Sequence, residues 1–211
     1  KGKEAWVEPV ISGNRYTFRV KTGIPPDAAK SGTKLARGAS FRCIFSGMPM
    51  ESQYIRGEFQ ARRAGTRLMA IVAEGKNGRI YLSPTEVHER LARSAIPDWQ
   101  PTSLMNQNCK DLVSGRGYGF QSWHELFTPR QLTALTVFSD LIPDVIEKCK
   151  QDALVAGMPD DGKGLDDGGQ GATAYGQAVG VYLAFVIDKC GDYGSTICGW
   201  HTSGEKIRNT F

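Results

Sequence analysis

The segment from Thr173 to Lys189 limits what this chain can fold into more than any other. It reads as one helix ended by Gly191, and Ala178, Val179, Val181, Tyr182, Leu183, Ala184, Phe185, Val186 and Ile187 cover every side of it. A helix that is apolar all round has to be buried all round, so the pattern predicts protein on each face. The uncharged apolar run, Ala178 to Ile187, is about half of the roughly 20 residues that a bilayer crossing needs, which excludes a membrane span. The rest of the chain offers few neighbours for such a helix, and the expectation is that further protein packs on it.

Those neighbours include two helices with readable starts. Ser83-Pro84-Thr85-Glu86 places Ser at an N-cap, Pro at the first helical position and Glu where a capping box wants it, and Thr128-Pro129-Arg130-Gln131 repeats the device. The second helix carries Leu132, Leu135, Phe138, Leu141, Ile142, Val145 and Cys149 at three-to-four spacing, one stripe for a core, with a kink expected at Pro143. Ile96 to Phe127 is loop-rich, with Pro97, Pro101 and a Gly115-Arg116-Gly117-Tyr118-Gly119 run, and the glycine- and aspartate-rich stretch 157–171 reads as a mobile loop. Thr202-Ser203-Gly204-Glu205 reads as a further capping box, whose helix would have only Lys206 to Phe211 before the sequence stops. With an opening Lys1-Gly2-Lys3-Glu4, the sequence reads as a piece cut from a longer protein.

The first 82 residues follow the period of strands instead. Tyr16, Phe18 and Val20 alternate with Arg15, Thr17, Arg19 and Lys21, and Ser12-Gly13-Asn14 turns this strand back on Trp6 to Ile11. A second hairpin runs from Arg67 through Lys76-Asn77-Gly78 to Leu82, with Asn-Gly accommodating a tight turn, and Phe41 to Phe45 is a fifth strand. The chain is therefore expected to be α+β, with a basic β-rich unit at 1–82 and a mainly helical part at 83–211. The net charge of +4 hides the same division: Lys and Arg exceed Asp and Glu by nine in 1–82 and fall five short in 83–211. A basic unit on an acidic one points to a polyanion at one face and other partners elsewhere, or to solvated cations on a half-exposed sheet.

Arg56, Arg62, Arg63, Arg67, Lys76 and Arg79 crowd the stretch from Ile55 to Leu82, with Tyr54, Phe59 and Tyr81 interleaved. Guanidinium forks suit phosphate oxygens and aromatic faces suit unpaired bases, so these six cations are the candidate DNA contacts. The alternative is internal pairing, with Arg56 or Arg67 meeting Glu58 or Glu74. Arg62 and Arg63, beside Ala61, Ala64 and Gly65, read as loop residues with the least structural employment.

Catalytic patterns are missing by comparison. The glycine run at 115–119 does not follow an apolar strand, His88 and His124 have no neighbouring nucleophile, and Cys198 and His201 lack a second pair to complete four metal ligands. Five widely spaced cysteines, Cys43, Cys109, Cys149, Cys190 and Cys198, form no disulfide framework, so a reducing cytoplasm is the expected compartment.

Several stretches carry a resemblance. Tyr54-Ile55-Arg56, the run from Gly65 to Gly75, Gly78-Arg79-x-Tyr81-Leu82-x-Pro84-Thr85, Leu126-Phe127-Thr128-Pro129-Arg130-Gln131-Leu132, Ser195-Thr196-Ile197-Cys198-x-Trp200-His201 and Ile207-Arg208-Asn209-Thr210-Phe211 together resemble the middle of large bacterial and archaeal adenine-specific DNA methylases that carry a zinc ribbon. The resemblance implies an S-adenosyl-methionine motif of the Asp-Pro-Phe-x-Gly type before this region and an Asp-Pro-Pro-Tyr catalytic motif after it. Neither occurs here; Pro25-Pro26 is followed by Asp27-Ala28 and lacks the aromatic that would stack on a flipped adenine. Cys43-Ile44-Phe45-Ser46-Gly47-Met48-Pro49 keeps one cysteine where the ribbon has a pair, so no zinc is expected.

The expectation is thus a non-catalytic, DNA-contacting internal segment of an S-adenosyl-methionine-dependent DNA N6-adenine methyltransferase, of the restriction-modification or phage-defence kind. This chain would bind no cofactor, and its partners would be DNA and the remainder of the methyltransferase. The competing reading is a structural or protein-interaction insertion that does not bind DNA.

Overall fold

The computed structural model describes residues 4–35, 38–106 and 118–210. The chain is α+β, with antiparallel hairpins mostly in its first part and the long helices later. Contacts divide it into two units, Lys1–Ala95 with Pro101–Glu125, and Ile96–Gln100 with Leu126–Phe211. The division does not fall at residue 82.

In the first unit, β1 (Ala5–Ser12) and β2 (Arg15–Thr22) pair antiparallel from Ala5↔Thr22 to Ser12↔Arg15. Gly13, with φ of 58°, supplies the left-handed conformation that this two-residue turn needs. Tyr16, Phe18 and Val20 are half-buried while Arg15, Thr17 and Arg19 are exposed, as their alternation requires. After α1 (Asp27–Ser31) comes a correction. Only Phe41–Arg42 (β3) is extended and paired, with Pro49–Met50 (β4), because residues 43–47 turn back through Gly47 at φ of 74°. Then α2 (Ser52–Gln60) occupies a stretch read above as basic and aromatic without a helix. Gly57 in its middle lowers its propensity and hides the Ile55 and Phe59 pair one turn apart.

Phe59 is the side chain that the helix half-buries. Phe59 meets Phe120 at 5.0 Å and Tyr118 at 6.1 Å, and Tyr118 meets Phe41 at 6.4 Å, which forms the aromatic core of this unit beside buried Ala39 and Met105. Phe59 is therefore a packing residue and not a stacking platform. Gly119, at φ of 83°, lets the chain pass over α2: a Cβ there would lie 2.6 Å from Arg56 Cγ. Burial pushes the Tyr118 phenol above its ordinary value.

The second hairpin is shorter than its sequence suggests. β5 (Ile71–Gly75) pairs with β6 (Gly78–Leu82), so residues 67–70 lie outside the strand, and the positive φ of the turn, 114°, falls on Gly78. α3 (Glu86–Ser94) is capped by Thr85, not Ser83, and the capping box closes with His88, whose Nδ1 lies 3.2 Å from Thr85 N. Ser83 is used elsewhere: its Oγ accepts from Val20 N at 2.9 Å, tying β2 to the end of β6. This and the bond from Leu68 N to Glu89 on α3, 2.8 Å, explain why α3 belongs with the β-rich unit.

In the second unit the stripe that begins at Leu132 becomes two helices, α4 (Pro129–Asp140) and α5 (Ile142–Val155), because Pro143 has no N–H to continue the ladder and fits the first turn of a new helix. Thr128 caps α4 with Gln131, as read from the sequence. α6 (Ala172–Tyr193) runs through Gly191 to a cap at Gly194 and packs antiparallel on α5 through Gly176 and Gly180, whose missing side chains admit Ile146. Its other side is open, contrary to the requirement of burial all round: Tyr182, Phe185 and Val186 are 73%, 62% and 57% exposed. α4 and α5 pack on one side of the helix, and Tyr182, Phe185 and Val186 lie away from that contact.

Two further expectations are overturned here. The loop at 157–171 is a closely bonded structure: Asp160 accepts from Thr173 N and Oγ1 at 3.1 and 2.7 Å, Asp161 from Lys163 N and Gln170 N, and Gln177 from Leu165 N. Asp160 thereby caps α6, whose own N-cap Gly171 has no side chain to do so. Near the end, Thr202 to Glu205 starts no helix. These residues turn the chain between β7 (Trp200–His201) and β8 (Lys206–Ile207), with His201 Nδ1 accepting from Gly204 N and Glu205 at φ of 45°.

Candidate nucleic-acid interface

The first unit contains a groove of about 780 Å³ between the open edge of β2, the segment at 67–68 and α3. Arg19, Arg67, Arg90 and Arg93 line it together with Glu86 and Glu89, which leaves the lining with a charge of +2. Strand alternation exposes Arg19, while Glu86, Glu89, Arg90 and Arg93 share neighbouring faces of α3 by their three- and four-residue spacings.

Glu89 is the hub. One carboxylate oxygen accepts from Leu68 N at 2.8 Å and lies 3.3 Å from Arg67 Nε; the other lies 3.3 Å from Arg93 Nη2. Arg67 also donates to the Tyr16 carbonyl at 3.4 Å, and its guanidinium stands 5.1 Å from the centre of the Tyr16 ring. The Tyr16 ring is itself held edge-on by Phe18 and Phe45. Arg19 and Arg90 have no ion-pair partner among the described residues; Glu8, directly across from Arg19, lies 3.4 Å from Lys21.

Of the six cations read from the sequence, Arg67 alone lines this groove. Arg56 lies half-buried on α2 beneath Gly119. Arg63 forms a two-pronged pair with Glu58, 3.0 and 2.8 Å, which holds the Glu58 carboxyl below and the Arg63 guanidinium above their ordinary values through that hydrogen bond. Of the two loop arginines with the least apparent structural employment, one thus ties off α2. Arg62 follows the helix at φ of 55°, Lys76 sits exposed in the β5–β6 turn, and Arg79 is paired across the strands with Glu74. Arg19, Arg90 and Arg93 also line the groove and are not among the six candidates. Arg19 was legible as the exposed face of a basic strand, and Arg90 and Arg93 as an arginine pair on a helix with glutamates one turn earlier; nothing local said that the two would meet.

The other candidates have structural uses. His88 caps α3, and His124 Nδ1 lies 3.0 Å from the Pro101 carbonyl. Cys198 lies 3.4 Å from the Asp192 carbonyl and 3.2 Å from Thr210 Oγ1, while buried Ser195 bonds Thr210 at 2.6 Å. Cys43 borders a second, shallower hollow, where donors from Ser46 and then Phe45 lower its pKa. Among the described residues no group of three or more His, Cys, Asp or Glu could hold a metal. Cys109, Gly115, Arg116 and Gly117 lie outside the described residues.

No family model, no curated protein and no solved structure matches this chain.

Proposed function

We propose that this chain is a DNA-contacting, non-catalytic segment of an S-adenosyl-methionine-dependent DNA N6-adenine methyltransferase, and that its groove between β2 and α3 takes the phosphate backbone. The observation that carries the DNA contact is the groove itself. Four arginines from β2, the 67–68 segment and α3 converge on it, two of them without an ion-pair partner among the described residues. Such a site contacts phosphates and reads no bases, so it positions a duplex and does not select its sequence. The methyltransferase assignment rests on the sequence resemblance. In the intact enzyme, transfer of the methyl group of S-adenosyl-methionine to the amino group of a flipped adenine would fall to residues outside this chain.

The open face of α6 supports a second role beside this one. Tyr182, Phe185 and Val186 form an exposed apolar surface of the kind that marks a protein contact, and the remainder of the methyltransferase is the proposed cover.

The test is binding of a mixed-sequence duplex at several salt concentrations by the parent chain and an Arg19→Ala/Arg90→Ala variant. Phosphate contacts release counterions, so the parent should lose affinity steeply with salt. The variant should bind more weakly on every sequence, with a slope shallower by about two units, one per arginine. A parent that does not bind, or a folded variant that binds equally well, removes the DNA role and leaves the protein-contact reading.

A further inference from the structure

We infer that Glu89 is a positioning residue: it holds Arg67 and Arg93 in place so that both guanidinium groups face one stretch of phosphate backbone. This inference rests on the reading of the groove as a phosphate site. An acidic side chain in a basic groove would ordinarily be taken to weaken anion binding, and three observations argue the opposite here.

The carboxylate lies beneath the cations. Its side chain is 18% exposed, against 38% for Arg67 and 62% for Arg93, so within this cluster the cations meet solvent and the anion supports them from below, while Glu86 is the exposed acid of the lining. Each arginine spends only part of its fork on Glu89, Arg67 through Nε and Arg93 through Nη2. A guanidinium has five N–H donors in a fixed plane, so each keeps donors for a phosphate oxygen while remaining attached to the carboxylate. The hub is also anchored from outside the ion pairs, by the bond from Leu68 N to Glu89 and the contacts of Arg67 with the Tyr16 carbonyl and ring. Two long side chains that would otherwise sample many rotamers are ordered before the ligand arrives, which removes part of the entropy lost on binding.

The sign of the effect separates this from simple charge. Glu89→Gln keeps one oxygen for Leu68 N and Arg67 Nε, removes the charge that holds Arg67, turns an amide NH2 toward Arg93, and raises the charge of the groove by one. Electrostatics alone then predicts tighter binding of any polyanion. Loss of positioning predicts weaker binding, about threefold to tenfold for each arginine released, with a salt slope shallower by about one unit for each phosphate no longer neutralised.

The experiment uses the 211-residue chain and a fluorescein-labelled mixed-sequence duplex of about two helical turns, titrated by anisotropy at four salt concentrations, with circular dichroism to check folding. The expected result for Glu89→Gln is weaker binding and a flatter slope. Arg93→Lys is the second variant: it lies on the exposed side of the pair, keeps the charge and removes the fork that can hold carboxylate and phosphate together. It should bind about threefold or more weakly, and it decides the matter if Glu89→Gln does not fold. Equal or tighter binding by a folded Glu89→Gln overturns the inference while leaving the groove as a phosphate site, as does unchanged binding by Arg93→Lys. Absence of binding by the parent overturns both.

Discussion

Adding one methyl group at Gly176 should separate α5 from α6. A Cβ built there lies 2.6 Å from the Ile146 carbonyl oxygen, 3.3 Å from Lys150 N and 3.4 Å from Lys150 Cβ. Carbon and oxygen in such contacts settle at roughly 3.3 Å or more, so the helices must part by about 0.7 Å. The obstacle is backbone within a helix, which cannot change rotamer, and the cost falls in the upper part of the about 1–3 kcal/mol typical of overpacking. Against it stands the gain of about 1 kcal/mol from replacing Gly by Ala inside a helix. The net is a loss of about 1–2 kcal/mol. In a cooperative unit of about ninety residues each kcal/mol moves Tm by roughly 4–8 °C, so Gly176→Ala should lower Tm by at least about 4 °C.

Gly191→Ala, on the same helix, is the control, since a Cβ there meets nothing within 4 Å. It collects the propensity gain alone, reduced by its place near the helix end, and Tm should rise by a few degrees, at most about 8 °C. Gly180→Ala should fall between the two, because its Cβ would meet Ile146 Cδ1 and Cγ1 at 2.6 Å, and a side chain can move. Thermal unfolding followed at 222 nm measures all three. If Gly176→Ala is as stable as Gly191→Ala, α5 and α6 do not approach as closely as described and the reasoning fails.

Four other outcomes are expected. Asp160 and Asp161 have pKa values below the ordinary carboxylate value, Asp160 chiefly through the Thr173 hydroxyl and Asp161 through Lys163 N. Their stabilisation is therefore complete above the unfolded value of about 3.9 and is lost as pH falls through the lower folded values; Tm measured from pH 7 to pH 2 should show this loss, and Asp160→Asn should reduce it while lowering Tm at neutral pH. Arg62→Ala/Arg63→Ala should leave DNA affinity within about twofold under conditions where removing a true phosphate contact takes away a whole unit of salt slope, because Arg63 is held by Glu58 and neither residue lines the groove; a large loss would move the interface to α2. Thr128→Ala deletes the cap of α4 and should cost about 1 kcal/mol, read in chemical denaturation as a lower midpoint at unchanged slope. Isothermal calorimetry with S-adenosyl-methionine should show no saturable binding in the micromolar range, since neither the cofactor motif nor the catalytic motif that the resemblance implies is in the sequence.

What the amino-acid order determined by itself is what depends on neighbours within about a turn. The first hairpin was legible because alternation of Tyr16, Phe18 and Val20 with Arg15, Thr17 and Arg19, and a Gly-Asn turn, are properties of the local chain. The cap at Thr128 was legible for the same reason. Where two local solutions compete, tertiary contacts chose. Ser83 and Thr85 can each cap a helix, and Thr85 does so because Val20 N takes the Ser83 hydroxyl. Thr202 to Glu205 can start a helix or close a hairpin, and pairing of Trp200 with Ile207 chose the hairpin. Glycine and aspartate at 157–171 read as mobility, and became order because Asp160 and Gln177 find backbone N–H groups that no local rule assigns to them. The groove proposed as the interface follows the same logic. A count of cations along 55–82 located the basic unit, but a groove is made by residues distant in sequence. Glu89 meets Arg67 across 22 positions, and Arg19 joins them only because β2 and α3 fold onto one another, a placement held by the long-range bonds of Ser83 and Leu68 and not by the charges of the arginines themselves.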